Sequence, residues 1–400
     1  MVLSTSSSSV DDAQQSQATV TANDNQAIPA KPVGFTDWML KEIFDQPQVL
    51  REVLAGRYDA EAQRLAFPEL ASLYQQLNGI QHVYIVACGT SSHAGLIGKE
   101  LIESLTSLTV DVQIASEFKS QRPAGKNDTL VIAISQSGQT SDTMNAVRQA
   151  KANGASVVAI TNVLDSDIAH AADATLYIRA DVERAVPATK SYTAQLLVLS
   201  QLAVFLAQQQ GALSTTEVAS YHDQLAELPA LIEQVLRPEN IDRIEAAAAS
   251  CEQAKNLLLI GRGYGVATCY EGALKLKETC YLHAEAFPAL EFQHGPIALI
   301  DPDQATPLVA LLPLNSPDDP IYTVVQKARQ YGAWLLALAA DNDNRISELA
   351  NQTLWLGQPS ELQQPFVAVV TLQLFAHALA QLLGRDIDNP RYLSKAVISE

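Results

Sequence analysis

Leu130-Val131-Ile132-Ala133-Ile134-Ser135-Gln136-Ser137-Gly138-Gln139-Thr140 is an apolar, β-branched run that breaks into a turn of small polar residues. Five apolar residues in succession suit a strand covered on both faces, and a Ser/Gly/Thr turn before a helical pattern suits a strand-to-helix connection. The same unit recurs at 82–87, 157–160 and 174–178. Such alternation predicts an α/β fold, a parallel sheet sandwiched by helices in three layers. A helical region at about 192–249 then leads to a second series at 256–260, 307–312, 334–338 and 353–356.

The two series overlay at a fixed offset. Val131 falls on Val309, Gly154 on Gly332, Ile160 on Leu338 and residues 173–177 on 351–355, each 178 positions apart, which argues for a duplicated domain. The copies diverge where it matters. After its strand the first keeps Ser135 to Thr140, whereas the second runs into Pro313-Leu314-Asn315-Ser316-Pro317 and carries instead Glu271-Gly-Ala-Leu-Lys275-Leu-Lys277-Glu278 and His294-Gly295-Pro296. Different equipment in the two halves predicts one composite site. The expected organisation is a disordered tail (1–33), N-terminal helices (34–77), a first α/β domain (78–215), a helical connection with the second domain (216–385) and a C-terminal tail (386–400).

Composition narrows the partners. With 44 acidic against 26 basic residues the net charge is -18, which argues against nucleic acid or an anionic membrane as a partner. A bound phosphate would need local N–H groups and a few lysines. The four cysteines form no CxxC pair, so they read as reduced thiols of a cytoplasmic protein without a zinc site. The first basic residue is Lys31, a pattern that excludes a signal peptide. The stretch 194–207, taken as the most apolar, is too short for a bilayer and reads as a core helix.

Candidate chemistry lies at five places. In Cys88-Gly89-Thr90-Ser91-Ser92 the glycine permits a tight turn and the hydroxyls open a helix; Ser135, Gln136, Ser137 and Thr140 repeat the device one strand later. Each alone reads as an N-cap, and together they make a phosphate cradle. Glu278 shares a helix face with Lys275 and Glu271, where a carboxylate beside a lysine can move a proton between adjacent sugar carbons; from the pattern alone a solvated ion-paired face is the simpler reading. His294 is a candidate for ring opening, and Lys395 is otherwise a mobile surface lysine.

ACGTSS (87–92), SQSGQTSDT (135–143), EGALKLKE (271–278), HAEA (283–286), HGPIAL (294–299) and NPRYLSK (389–395) are similar, in order and spacing, to the isomerase half of glucosamine-6-phosphate synthase, from about Met39 to Glu400. The resemblance implies two tandem sugar-isomerase (SIS) domains and a homodimer whose active sites draw on both subunits. It implies sugar-phosphate contacts from Thr90, Ser91, Ser135, Gln136, Ser137, Thr140, Val186, Ala188 and Ser394. It makes Glu278 the base acting between C1 and C2, with Lys275 beside it, His294 the ring opener from the neighbouring subunit and Lys395 the lysine that engages the open-chain sugar. The family's amino-terminal cysteine-nucleophile domain has no counterpart in this sequence. At 183–190 the chain reads ERAVPATK, with Ala188 where the synthase has serine, and VPATKSYT is closer to stand-alone sugar deaminases. The expected activity is therefore hexosamine-6-phosphate deamination and isomerisation to a ketohexose 6-phosphate, with no cofactor or metal. An aminating isomerase using ammonia or a separate glutaminase subunit is the alternative, and a non-catalytic sugar-phosphate sensor a third.

Overall fold

The computed structural model describes residues 31–119, 128–314, 318–341 and 343–395. The expected disorder of 1–33 falls almost wholly outside them, as do the last five residues of the tail and the second copy's 315–317. Two five-stranded sheets form the frame. The first runs, in space, Thr109–Ile114, His82–Ala87, Thr129–Ile134, Ser156–Thr161, Ala174–Tyr177, all parallel. The second runs His283–Pro288, Asn256–Gly261, Pro307–Leu311, Trp334–Ala339, Gln352–Trp355, again all parallel. Numbered along the chain, both sheets have the order 2-1-3-4-5, so the duplication holds and so does the predicted α/β class.

Its register needs one correction. Val131 pairs with Val157, and 178 residues further on Leu335 pairs with Leu308, not with Val309. The bond from Ser135 N–H to the Ile160 carbonyl is likewise matched by Leu312 N–H to Leu338. The third strands therefore correspond at an offset of 177 and the fourth and fifth at 178, with one extra residue between them in the second copy. A one-residue slip exchanges the faces of a strand. It was invisible here because both faces of that strand are apolar and buried.

The ordering of layers follows from the helices. Lys190–Gln209 and Gln364–Leu382 are buried along nearly their whole length, and with Thr90–Leu105 and Tyr264–Cys280 they pack between the two sheets in one continuous core. A helix apolar on all sides belongs in such an interior. Of these, Gln364–Leu382, not 194–207, has the length and apolarity to cross a membrane; 89% of its apolar window is buried inside the protein, as befits a core helix. Smaller clusters lie on each sheet's outer face, under Ser141–Ala152 and Ile321–Gln330.

The N-terminal segment is less helical than its pattern suggests. Trp38–Leu54 is a helix, but 58–77 forms a short antiparallel ladder followed by a 3-10 turn and one helical turn. The connection between the domains comprises Thr215–Val235, opened by a capping box of Ser214 and Glu217, and Pro238–Ser250.

Candidate active site

Strands His82–Ala87 and Thr129–Ile134 are neighbours, and the chain leaves them toward opposite edges of the first sheet. The loops after two such strands part and leave a crevice at the carboxyl edge. In the first loop Gly89, at φ +54°, turns the chain into helix Thr90–Leu105. The Ser92 hydroxyl donates to the Gly89 carbonyl at 2.7 Å. Ser91, half-buried, makes no side-chain hydrogen bond among the described residues.

The second loop is more tightly made. Ser135 Oγ lies 3.0 Å from Thr140 Oγ1 and accepts from the Gly138 N–H, while Ser137 Oγ accepts from the Gln139 N–H at 3.2 Å. Gly138 has φ +65°, and a Cβ there would stand 2.0 Å from Ser166 Oγ, so only glycine fits. The Gln136 carbonyl is tied to Asn162 N–H, leaving its side-chain amide without a partner among the described residues. Thr140 is the N-cap of helix Ser141–Ala152 but supplies no side-chain cap. A preformed turn at the positive end of a helix suits an anion without added charge.

Beside these loops lies a buried ionic cluster. Lys275 Nζ is 2.6 Å from Glu278 Oε2 and 3.3 Å from Glu271 Oε1, and it donates to Thr90 Oγ1 at 3.1 Å. The Thr90 hydroxyl donates in turn to Glu271, whose other oxygen is 2.8 Å from His93 Nδ1. The side chains of Lys275 and Glu271 are wholly buried and that of Glu278 is 20% exposed, so the solvated-face reading is wrong. Burial alone would neutralise both groups. For Glu271, burial pushes the carboxyl up, but the Lys275 charge and His93 outweigh it and hold it below the usual range. For Lys275, burial pulls down, but Glu271 and Glu278 raise it further, so it remains an ammonium. Lys275 therefore anchors Glu278 through a 2.6 Å ion pair. Thr90, its hydroxyl engaged as both donor and acceptor, joins the first copy to the second.

The tail arrives on the same side. Lys395 Nζ donates to Glu183 Oε2 at 2.7 Å and to the Ala185 carbonyl at 2.6 Å. Arg391 lies over the Tyr281 ring at 4.3 Å, and its N–H donates to the Tyr281 hydroxyl, just beyond the helix that carries Glu278. The Val186 N–H donates to the Asp388 carbonyl, so the 183–190 segment and the tail form one unit with half-buried Val186 and Ala188. Ser394 is exposed. Lys395 is thus not a mobile surface lysine: its partners belong to the 183–185 segment. Burial pushes Glu183 up, yet Lys395, the N–H group of Thr189 and the hydroxyl of Ser191 outweigh it and hold it at about 2.

His294 is not brought to this cluster. It ends the turn Glu291–His294, exposed, with no hydrogen bond or ion pair among the described residues, on a segment that also exposes Leu290 and Leu299. Four residues that sequence reasoning missed join the site: His93, Glu183, Tyr192 and Glu42. His93 lies three residues after Thr90, which was a usable signal. Tyr192 is buried near Glu271, and its hydroxyl has no hydrogen-bond partner among the described residues. Glu42, buried on helix Trp38–Leu54, accepts from the backbone N–H groups of Arg184 and Ala185. Among the described residues no grouping of His, Cys, Asp and Glu could hold a metal ion.

Fold and site together define a doubled α/β sandwich in which a polar loop of the first copy meets a buried ionic cluster carried by the second. The SIS domain model matches residues 76–205 and 251–382, and the chain belongs to the SIS domain family. It is 39% identical over 371 residues to a glutamine–fructose-6-phosphate aminotransferase (isomerizing) of Thermus thermophilus, and 40% identical over 378 residues to one of Corynebacterium efficiens. Each match covers 93–94% of this chain, and the chain spans 60% of those relatives' length. Among solved structures, the C-terminal domain of glucosamine-fructose-6-phosphate aminotransferase from Francisella tularensis superposes with a TM-score of 0.82 at 30% identity, over 90% of this chain and all of that one. A glucosamine-6-phosphate deaminase of Thermotoga maritima shares the fold, with a TM-score of 0.67 at 21% identity over 91% of this chain and all of that one.

Proposed function

We propose that this site interconverts a hexosamine 6-phosphate and a ketohexose 6-phosphate, with release of ammonia as its working direction. The observation that carries the reading is Glu278, a largely buried carboxylate anchored 2.6 Å from a buried ammonium next to the polar loops of the first copy. Ser91, Ser135, Gln136, Ser137 and Thr140 hold the phosphate, and Val186, Ala188 and Ser394 line the sugar. Once the ring is open, Glu278 takes the proton from C2 and returns it to C1. The resulting C2 imine adds water, and ammonia leaves as the ketone forms. Lys395 leaves Glu183 to engage the open-chain carbonyl.

His294 opens the ring of a sugar bound to a second copy of the chain. Its exposure, with Leu290 and Leu299 uncovered beside it, supports a homodimer in which that segment crosses to the partner. Four unpaired cysteines, three of them buried, suit a reducing, cytoplasmic setting.

Direction follows from ammonia itself. At neutral pH it is almost wholly ammonium and no nucleophile, so a site drawing on the free pool runs more readily toward release. The relatives at 38–40% identity favour a second reading, amination of the ketose, with ammonia delivered by a glutaminase. Ammonia measured after incubating the protein with glucosamine 6-phosphate separates the two. Release is expected, and Glu278→Gln should lower it about 100-fold or more while binding persists. Amino sugar formed only from fructose 6-phosphate and ammonia would establish the second reading. Binding without turnover either way would make the protein a sensor.

A further inference from the structure

The second copy has an opening of its own. A cavity of about 580 Å3 lies where strands Trp334–Ala339 and Gln352–Trp355 end, facing the junction of helices Thr215–Val235 and Pro238–Ser250. It belongs to the other sheet and shares no lining residue with the candidate active site. Arg237, Asn240 and Arg243 come from the helix side; Asp341, Asn344 and Ser347 come from the sheet side. Its volume suits a small metabolite.

The duplicated fold explains why it is open. Leu356 N–H bonds to the Ala339 carbonyl as Ile178 N–H bonds to Thr161, so the next residues, Gly357 and Arg179, correspond. Arg179 donates to the carbonyls of Ala55 at 2.8 Å and Glu52 at 3.2 Å, tying the strand end to helix Trp38–Leu54. Gly357 has nothing to send across. A Cβ there would come no nearer than 3.9 Å to Gln234 Oε1 on the helix opposite. One copy closes this junction with an arginine; the other leaves it empty and lines it with polar groups.

Its charge plan indicates the ligand. Arg237 makes no ion pair or side-chain hydrogen bond among the described residues, and Arg243 reaches only Asn240 Oδ1 at 3.5 Å. Two guanidiniums without an ion pair among the described residues thus line one cavity, and guanidinium forks match phosphate oxygens. Arg237 is also the N-cap of the 13-residue helix Pro238–Ser250, which no side chain caps. Glu239, also lining the cavity, lies in that helix's first turn, where its charge meets the positive end. Opposite, Asp341 spends one oxygen on the Gly357 N–H, leaving its second oxygen and the Asn344 amide for hydroxyl groups.

We propose that this cavity is a second binding site, for a phosphorylated sugar, through which the substrate class of the first copy acts on the protein as an effector. The choice of sugar rests on the function proposed above; the site itself does not. Titration calorimetry of the full chain with glucosamine 6-phosphate and fructose 6-phosphate counts the sites. Two per chain are expected. Arg237→Ala with Arg243→Ala, both exposed residues, should weaken one site by about 10-fold or more per arginine and leave basal turnover unchanged. Gly357→Arg, which restores the first copy's residue, should close the same site. Ser137→Ala with Thr140→Ala should weaken only the other. If both sugars bind once per chain and the arginine variant binds equally well, the cavity is not a site and the proposed function stands. If neither sugar binds anywhere, both proposals fall. Arginine-dependent binding without turnover overturns the function and keeps the site.

Discussion

Glu42 is held as a neutral acid. Burial, then the charge of Glu183, push its carboxyl up to about 8, against 4.5 in an open chain. The folded state therefore binds a proton that the unfolded state releases between those values, and stability falls as pH rises from about 4.5 to about 8. Glu183 works the other way: held at about 2, it contributes stability above pH 4.5 that is lost as pH falls toward 2. Glu42→Gln keeps the acceptor for Ala185 and removes the titration. Denaturant midpoints at pH 5 and pH 9 should differ clearly in the wild type, lower at pH 9, and differ less in the variant. An equal fall in both would place the effect elsewhere. None of this was legible in the sequence, because Glu42, Glu183 and Lys395 are far apart in the chain. Within its own helix Glu42 is one more polar residue of an amphipathic pattern. Glu271, Lys275 and Glu278 were legible as one face of a helix, since their spacing is local; what the spacing cannot say is that a second sheet and its helices cover that face.

At the scale of elements, the plainest strands were the apolar runs buried on both faces, such as Val-Ile-Ala-Ile at 131–134, and the partly buried edge strands Ala174–Tyr177 and Gln352–Trp355 were read as well. The edge strands Thr109–Ile114 and His283–Pro288 went unread as strands, because one face of each meets solvent and their apolar signal is broken. The Ser135–Thr140 turn was legible as a turn, and Gly138 carries it. Gly138→Ala would drive a Cβ into Ser166 and Thr161 and hold alanine at φ +65°, a strain of about 1–3 kcal/mol. Because this loop is read as holding the phosphate through the whole reaction, the variant should raise KM more than it lowers kcat. An unchanged KM in a folded variant would remove the loop from the site.

At the scale of the whole molecule, divergent equipment in the two copies predicted a composite site without saying which atoms of the two would meet. The meeting point is Thr90 with Glu271 and Lys275. His294 remains outside it within one chain, so the shared-site reading makes a strong demand. Inactive Lys395→Ala and His294→Ala proteins, mixed with verified subunit exchange, should regain up to about a quarter of wild-type activity, because half the dimers are then mixed and each has one intact site of two. No recovery would confine His294 to its own subunit or exclude it. The buried ion cluster also bears on descent. Removing one member of a buried pair strands the other charge, at about 3–5 kcal/mol, a large share of a domain's stability. Once the copies had locked together across Thr90, Glu271 and Lys275, neither could drift at those positions alone or return to independent life. Among related chains these three positions should change together or not at all, so that the bond between the halves is inherited as a single character.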